Sequence, residues 1–446
     1  MKSQADFNSG EFQLHPNPNF NYQLNRTYNV SNGNLDEIKE LAAKLTSIKV
    51  WEKEMRALAE KAFQENRIKD AIAYYRMTEF FMYDGNPDKI KTYDESIELF
   101  YQYHDPLFKT GVLQLDQVPY EQGYLPVIHT MPEGKCVDTI LLHGGFDSYM
   151  EEFLPSLLYL RENGFEVFLF EGPGQGNVLR KQGLTFSIEW EKPVKTLLDY
   201  YSLHEVTIIG ISMGAILAPR AAAFETRIQR IVAWSVCTNM LELLLDAVPK
   251  AERDALKELL RQKEKNTIND LMDKQMAREP LIDWAMHHGF YNMGVDNPYD
   301  YMIAANHYTY ADVADQITQD FLLLGAEKDH LIPIENYKSA MDSLPNVKSL
   351  TYRLFTAKEN AASHCNTGNP KLVLDTIVSW IRTIKARQII SLNSLPSRLA
   401  RTCLLSPAQR LLTRNFLGTK SSQIDVMMII SKSKDQDCKP KPATHS

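Results

Sequence analysis

Gly210-Ile211-Ser212-Met213-Gly214 is the stretch of this chain best suited to covalent chemistry. It continues from Val206–Ile211, an apolar run rich in β-branched residues that reads as a buried strand. A strand, a G-x-S-x-G turn and a helix in that order make a nucleophile elbow. The sharp turn holds the serine in strained backbone geometry, and the small residues on either side keep it from clashing. Its hydroxyl then stands above the sheet, with the next backbone N–H and a helix N-terminus beside it. A serine hydroxyl is nevertheless a poor nucleophile at neutral pH. It needs a base, usually histidine, and the histidine needs an acid to orient it.

On such a scaffold the acid and then the base follow the serine in the chain. Three histidines come after the apolar run Phe321–Gly325: His330, His364 and His445. His445 lies in the C-terminal tail, and His330 adjoins Asp329 too directly to be oriented by it. His364 falls between an expected strand, Val347–Phe355, and an expected helix, Leu372–Ala386, and is the expected base. Asp329, just past Phe321–Gly325, is the expected acid. Asp320 precedes that strand, and Asp342 falls inside the expected helix Ile334–Ser343.

An acyl-transfer site also needs donors for an oxyanion. The N–H of Met213 is one. The other should come from His143-Gly144-Gly145-Phe146, where Gly145 and Phe146 are both eligible. His143 itself reads as structural, its ring packed under the loop. Gly172-Pro173-Gly174-Gln175-Gly176 lacks the Lys-Ser/Thr of a P-loop and does not fit G-x-G-x-x-G, so it reads as a tight turn after a strand.

The elements that must carry these residues follow from periodicity. Residues 1–33, rich in Asn, Gln and Pro, read as a flexible arm. Residues 34–110 show helical spacing from Ile38, Leu41, Leu45 and Ile48 onward, with Asn34 as an N-cap. The dense run Tyr74, Tyr75, Met77, Phe80, Phe81, Met82 and Tyr83 reads as packing between helices, with pocket lining as the alternative. Residues 111–236 open with a hairpin (Val112–Val118 and Tyr124–His129) and then alternate strands with helices. Residues 237–312 are helical and highly charged, an inserted cap. The alternation resumes over 313–387. This order predicts a mostly parallel sheet with helices on both faces. Residues 388–446 hold nine Lys and Arg against three Asp, and read as a basic, disordered tail with a possible amphipathic helix over Leu399–Leu417.

Composition excludes some functions. The 446 residues carry a formal net charge of −7, which offers no general attraction to nucleic acid. No apolar run is long enough to span a membrane, and the polar N-terminus lacks a secretory h-region. Five scattered cysteines suit reduced thiols in the cytoplasm. The absence of C-x-x-C and H-E-x-x-H leaves no support for a metal site, and no motif calls for a cofactor. The expected partner is a small carbonyl substrate, and the N-terminal arm could reach a second copy in a homodimer.

Taken together, HGGFDS, FEGPGQG, GISMG, GAEKDH and ASHCNTG resemble the α/β-hydrolase superfamily over roughly residues 112–386. The helical N-terminal segment, GGFDS followed by Glu151-Glu152, and EGPGQG look like a narrower branch. That branch contains the dihydroxypseudooxynicotine hydrolase, the fermentation-respiration switch protein and fungal polyketide chain-shortening hydrolases. The resemblance implies a helical lid over the site, Ser212 as nucleophile, Asp329 as acid and His364 as base. It also implies cleavage of an ester or of a carbon–carbon bond next to a ketone. Cleaving a carbon–carbon bond requires a carbanion to be protonated, for which Glu242, Asp246, His287 and His288 in the cap are candidates. The competing readings are an acyl-aminoacyl peptidase on the same scaffold and a non-catalytic binding protein that kept the fold.

Overall fold

The computed structural model describes residues 5–246 and 248–393. Among them, five helices come first: α1 (Pro18–Asn29), α2 (Leu35–Ala42), α3 (Ile48–Gln64), α4 (Ile68–Phe80) and α5 (Lys89–Lys109). The chain then turns to extended structure in the hairpin β1 (Gln114–Tyr120) and β2 (Gly123–Thr130). Its turn is tighter than the pattern suggests, because Pro119 still pairs with Tyr124 in the ladder. Proline is tolerated there because β1 is the sheet's edge strand.

The alternating part follows: β3 (Asp138–His143), α6 (Leu154–Glu162), β4 (Phe165–Phe170), α7 (Gly176–Arg180), α8 (Glu191–Tyr200), β5 (Val206–Ile211), α9 (Gly214–Phe224) and β6 (Ile228–Trp234). Five cap helices interrupt it: α10 (Met240–Asp246), α11 (Lys250–Gln262), α12 (Lys265–Met276), α13 (Pro280–Met293) and α14 (Pro298–His307). It ends with β7 (Asp320–Ala326), α15 (Ile334–Asp342), β8 (Ser349–Phe355) and α16 (Pro370–Asn393).

The eight strands lie in the order β1-β2-β4-β3-β5-β6-β7-β8, antiparallel at the first two pairings and parallel at the rest. Every residue of β5 and β7 is buried. That is why both read as mainly apolar runs, broken only by Thr207 in β5 and Asp320 at the start of β7: helices cover the two faces of a parallel sheet. The loops after β3, β5, β7 and β8 all leave the carboxyl edge of the sheet, where open α/β sheets place their ligands. The described residues up to Ile381 belong to one compact unit, which contains that edge.

The N-terminal arm is corrected by the structure. Pro18–Asn29 is a helix capped by Asn17, whose Oδ1 accepts from the N–H groups of Asn19 and Phe20 at 3.0 and 3.1 Å. Its buried face carries Gln23, Asn25, Arg26 and Asn29 besides Phe20 and Leu24. These polar residues hide the hydrophobic period. Most of them are buried through bonds to distant chain: Asn25 Oδ1 accepts from Phe12 N–H (2.9 Å), Asn29 Nδ2 donates to the Gly10 carbonyl (2.9 Å) and Arg26 reaches Glu152. Periodicity cannot anticipate burial of that kind, because it depends on partners far away in sequence. The expected start of the tail is also corrected, since α16 continues through residue 388 to Asn393. Leu399–Leu417 lies outside the described residues.

In the run Tyr74–Tyr83, packing predominates. The rings of Phe80 and Phe81 lie 5.2 and 4.8 Å from that of Trp284 in α13. Phe80 also faces the cavity described below.

Candidate active site

Ser212 sits at φ 59°, the left-handed conformation that an elbow imposes on its nucleophile. The flanking glycines are required by contact. A Cβ on Gly210 would lie 2.0 Å from the Gly214 carbonyl oxygen, and one on Gly214 would lie 2.5 Å from that of Gly144. The Ser212 N–H donates to the Trp234 carbonyl (2.8 Å), which ties the turn to the neighbouring strand.

From the other two loops come His364 and Asp329. Ser212 Oγ is 2.9 Å from His364 Nε2, and His364 Nδ1 is 2.8 Å from Asp329 Oδ2. Asp329 Oδ1 accepts from the N–H groups of Leu331 and Ile332 at 2.9 and 3.0 Å, so both carboxylate oxygens are engaged. His330 stands apart from this chain, its ring 4.7 Å from that of Tyr22 and 6.3 Å from that of His364.

The electrostatics follow from burial and pairing. Burial pushes the Asp329 carboxyl up, but the His364 ring and the two backbone N–H groups outweigh it and hold its pKa below the ordinary value. Burial disfavours a charged His364 ring. The Asp329 carboxylate and the Cys365 sulfur beside it outweigh that, and its pKa is held well above the ordinary histidine value. His143 is pushed down to about 4 by burial. Its ring lies 5.2 and 5.1 Å from those of Phe170 and Trp190, and a Cβ on Gly214 would meet it at 3.0 Å.

The His364 loop is pinned on several sides. Trp234 Nε1 donates to Asn366 Oδ1 (3.0 Å), Cys365 N–H to Ser235 Oγ (2.9 Å) and Ser363 N–H to Glu11 Oε1 (2.7 Å). Cys365 and Asn366 both take positive φ, at 53° and 51°.

The loop after β3 distinguishes the two eligible oxyanion donors. The Gly145 N–H donates to Ser148 Oγ at 3.0 Å, which removes Gly145 as a free donor and corrects its candidacy. Gly145 serves close approach instead, since a Cβ there would lie 2.8 Å from the Ile211 carbonyl oxygen and from Ser212 Cβ. Among the described residues, the N–H groups of Phe146 and Met213 have no hydrogen-bond partner.

Three supports escaped sequence reasoning. Gln175, in the turn read only as a bend, donates through Nε2 to the carbonyls of Gly144 and Gly145 at 2.8 and 3.1 Å. Glu171 accepts from the N–H groups of Met150 and Asn177 at 2.9 and 2.7 Å, joining the same turn to the loop after β3. Asn292 of the cap donates to the Phe146 carbonyl at 2.7 Å. A clue was available for Gln175 alone, since it follows two glycines at a strand's carboxyl end.

Ser212, Asp329 and His364 open into a cavity of about 1180 Å³. Its cap side is largely apolar, with Leu243, Leu256, Leu259, Met272, Ile282 and Met286, and also carries the charged Glu252, Lys274 and Arg278. Its opposite side is polar and comes largely from α1, with Asn19, Tyr22, Gln23, Arg26 and Asn29. Of the cap's candidate acids, Asp246 and His288 reach the cavity. Asp246 is paired with Arg253 at 2.5 Å, and burial pushes His288 down to about 3, so its ring is neutral. Glu242 is paired with Lys257 at 2.6 Å, and His287 is exposed beside Asp283. Among the described residues no cluster of His, Cys, Asp or Glu could hold a metal ion, and no helix is long and apolar enough to cross a membrane.

Residues 139–376, more than half of the chain, match the model of the alpha/beta hydrolase family. A hydrolase of Aspergillus aculeatus, acrC, is 25% identical over 319 residues, covering 65% of this chain and 73% of that relative. The 20-hydroxy-prefusarin hydrolase of Gibberella moniliformis is 27% identical over 256 residues, covering 52% and 58%. Among solved structures, the 2,6-dihydroxy-pseudo-oxynicotine hydrolase superposes with a TM-score of 0.56 at 16% identity, over 80% of this chain and 94% of that one. AbyA5 does so with a TM-score of 0.58 at 15% identity, over 80% and 93%. One of them, the 2,6-dihydroxy-pseudo-oxynicotine hydrolase, is a protein of the branch that the motifs resemble.

Proposed function

The chain belongs to the alpha/beta hydrolase family, and from that premise we propose that it is a serine hydrolase acting through an acyl-enzyme on Ser212. The observation that carries this reading is the continuous chain Ser212 Oγ–His364 Nε2 (2.9 Å) and His364 Nδ1–Asp329 Oδ2 (2.8 Å) at the floor of the cavity. His364 takes the Ser212 proton as Oγ bonds to the substrate carbonyl carbon, and the carbonyl electron pair moves onto oxygen. The N–H groups of Phe146 and Met213 receive that oxyanion, with the N-terminus of α9 behind Met213. The tetrahedral species collapses, and the leaving group takes the proton from His364. Water, deprotonated by the same ring, then attacks the acyl-enzyme, and an acid is released.

The bond broken is an ester, or a carbon–carbon bond beside a ketone, in a small acyl, polyketide-like substrate. In the second case the leaving carbanion must be protonated. Asp246 and Glu242 are held by cations, and His288 is neutral. We therefore assign that proton to His364 as well. The helices α1–α5 stand where an oligopeptidase often carries a β-propeller, which argues against an oligopeptidase and not against a small acyl-aminoacyl substrate.

Ser212→Ala is the test, read on a panel of aryl esters and β-diketones. Turnover should fall by several orders of magnitude with the fold intact, and a fluorophosphonate should label the wild type and not the variant. Wild-type-like turnover by Ser212→Ala would sink the proposal, and failure of folded wild type to label would favour a binding protein.

A further inference from the structure

The polar wall of the cavity contains a group that the hydrolytic steps do not use. Gln23 of α1 is 4% exposed and faces the cavity. Its Oε1 is buried with no hydrogen-bond partner. Buried side-chain amides are almost always paired, so an unpaired one beside a catalytic site invites a ligand. Its place on the helix ties it to the reacting centre. The ring of Tyr22, the preceding residue, lies 5.8 Å from that of His364. One turn onward, Arg26 bonds Asp147, the residue after Phe146. Gln23 thus sits on the turn of α1 that links the base to the oxyanion loop.

The charge around it selects the kind of ligand. Arg26 is the cation of the helix, and each of its three nitrogens already bonds a carboxylate: Nε and Nη2 bond Glu152 at 3.2 and 2.7 Å, and Nη1 bonds Asp147 at 3.1 Å. Arg76 adds a further bond to Glu152 at 3.2 Å. Two cations against two carboxylates leave this wall neutral, and a carboxylate ligand beside Gln23 would face Asp147 and Glu152, with Arg26 and Arg76 already paired to them. The cap residues that line the cavity are mainly hydrocarbon, with the exposed side chains of Glu252, Lys274 and Arg278 also among them. The part of a ligand that meets the α1 wall is therefore neutral, with a hydroxyl or keto oxygen toward Gln23 and an aliphatic arm toward the buried leucines and methionines of the cap.

We propose that the Gln23 amide is a substrate-reading site that binds a neutral hydroxyl or keto oxygen a few carbons from the scissile carbonyl. The role of Ser212 in this proposal rests on the function proposed above. A buried amide left unpaired by the wrong ligand supplies the discrimination, about ten- to a hundredfold per hydrogen bond.

The test uses octyl trifluoromethyl ketone and its analogues with one hydroxyl on successive chain carbons, as inhibitors of aryl ester hydrolysis by the full chain. Ser212 Oγ adds reversibly to such a ketone, the carbonyl oxygen takes up the electron pair and His364 holds the proton. At least one hydroxylated isomer should inhibit the wild type about ten- to a hundredfold more tightly than the parent ketone. Gln23→Leu and Gln23→Met should lose that preference and bind the parent ketone as well as the wild type does. The proposal is overturned if no isomer is preferred by the wild type, or if the preference survives in a folded Gln23 variant. The same pairs are titrated into Ser212→Ala by tryptophan fluorescence, since Trp234 and Trp284 face the cavity. There the hydroxyl preference should persist without covalent addition. Failure of the serine reading, seen as inhibition that is the same with and without Ser212, is thereby separated from failure at Gln23.

Discussion

Asn292 Nδ2 donates to the Phe146 carbonyl across 2.7 Å, a bond between residues 146 positions apart. It joins cap helix α13 to the loop that would receive the oxyanion. The Phe146 ring also stacks on Phe186, with centroids 5.6 Å apart, and Phe186 N–H donates to the Asn292 carbonyl at 2.9 Å. Through these contacts α13 holds the Phe146 loop in place, and with it the proposed oxyanion donor. Asn292→Leu should lower kcat about ten- to a hundredfold with KM little changed, because a small displacement of a positioned group costs on that scale. Asn292→Asp, which keeps the size and loses the donor, should behave alike. Steady-state kinetics on an aryl ester decide the matter, and an unchanged kcat in both variants would remove this role.

Activity should rise with pH along a limb displaced above the usual histidine range. His364 must be neutral to accept the serine proton, and the Asp329 carboxylate and Cys365 sulfur hold its pKa well above 6.5 against the opposing effect of burial. In Asp329→Asn the carboxylate is gone while burial remains, so the limb should move to lower pH. The rate should fall about ten-thousandfold at the same time, since the ring loses its orienting partner. A pH profile of kcat/KM for the two proteins checks both effects.

Stability should fall as pH rises from about 5 to 8. Burial and the neighbouring Glu171 carboxylate push Glu151 up to about 8, against an ordinary value of 4.5. In that window the folded state keeps a proton that the unfolded state releases, so raising pH favours unfolding. Glu151→Gln, which cannot ionise, should lose less stability than the wild type between pH 5.5 and 8. Urea unfolding at the two pH values measures the difference, and equal losses would contradict the assignment.

The ion pairs beneath α1 should make it indispensable to the fold. Arg26 is buried against Glu152 and Asp147. Arg26→Met leaves those carboxylates short of a cation and should cost about 3 kcal/mol. Adding Glu152→Leu should recover part of that loss, because the uncompensated charge is removed with its partner. Thermal melts of the two single variants and the double variant give the coupling, and strict additivity would rule it out.

The chain by itself determined the parts whose signal is local. The elbow is legible because its turn demands Gly210 and Gly214 around Ser212. β5 and β7 are legible because strands buried on both faces are mostly apolar, here Ile208–Ile211 and Phe321–Ala326. Asp329 and His364 could be chosen because each follows a strand that ends at the same edge of the sheet. Tertiary structure alone decided what depends on distant partners. It turned residues 18–29 from an arm into a helix, because that helix buries polar residues by pairing them with chain far away in sequence. It engaged the Gly145 N–H with the Ser148 side chain, a contact that no spacing in the sequence shows. And it brought Asn292 to the Phe146 carbonyl and Gln23 to the cavity wall. No spacing rule announces such contacts, since a hydrogen bond across a folded interior leaves no period in the sequence.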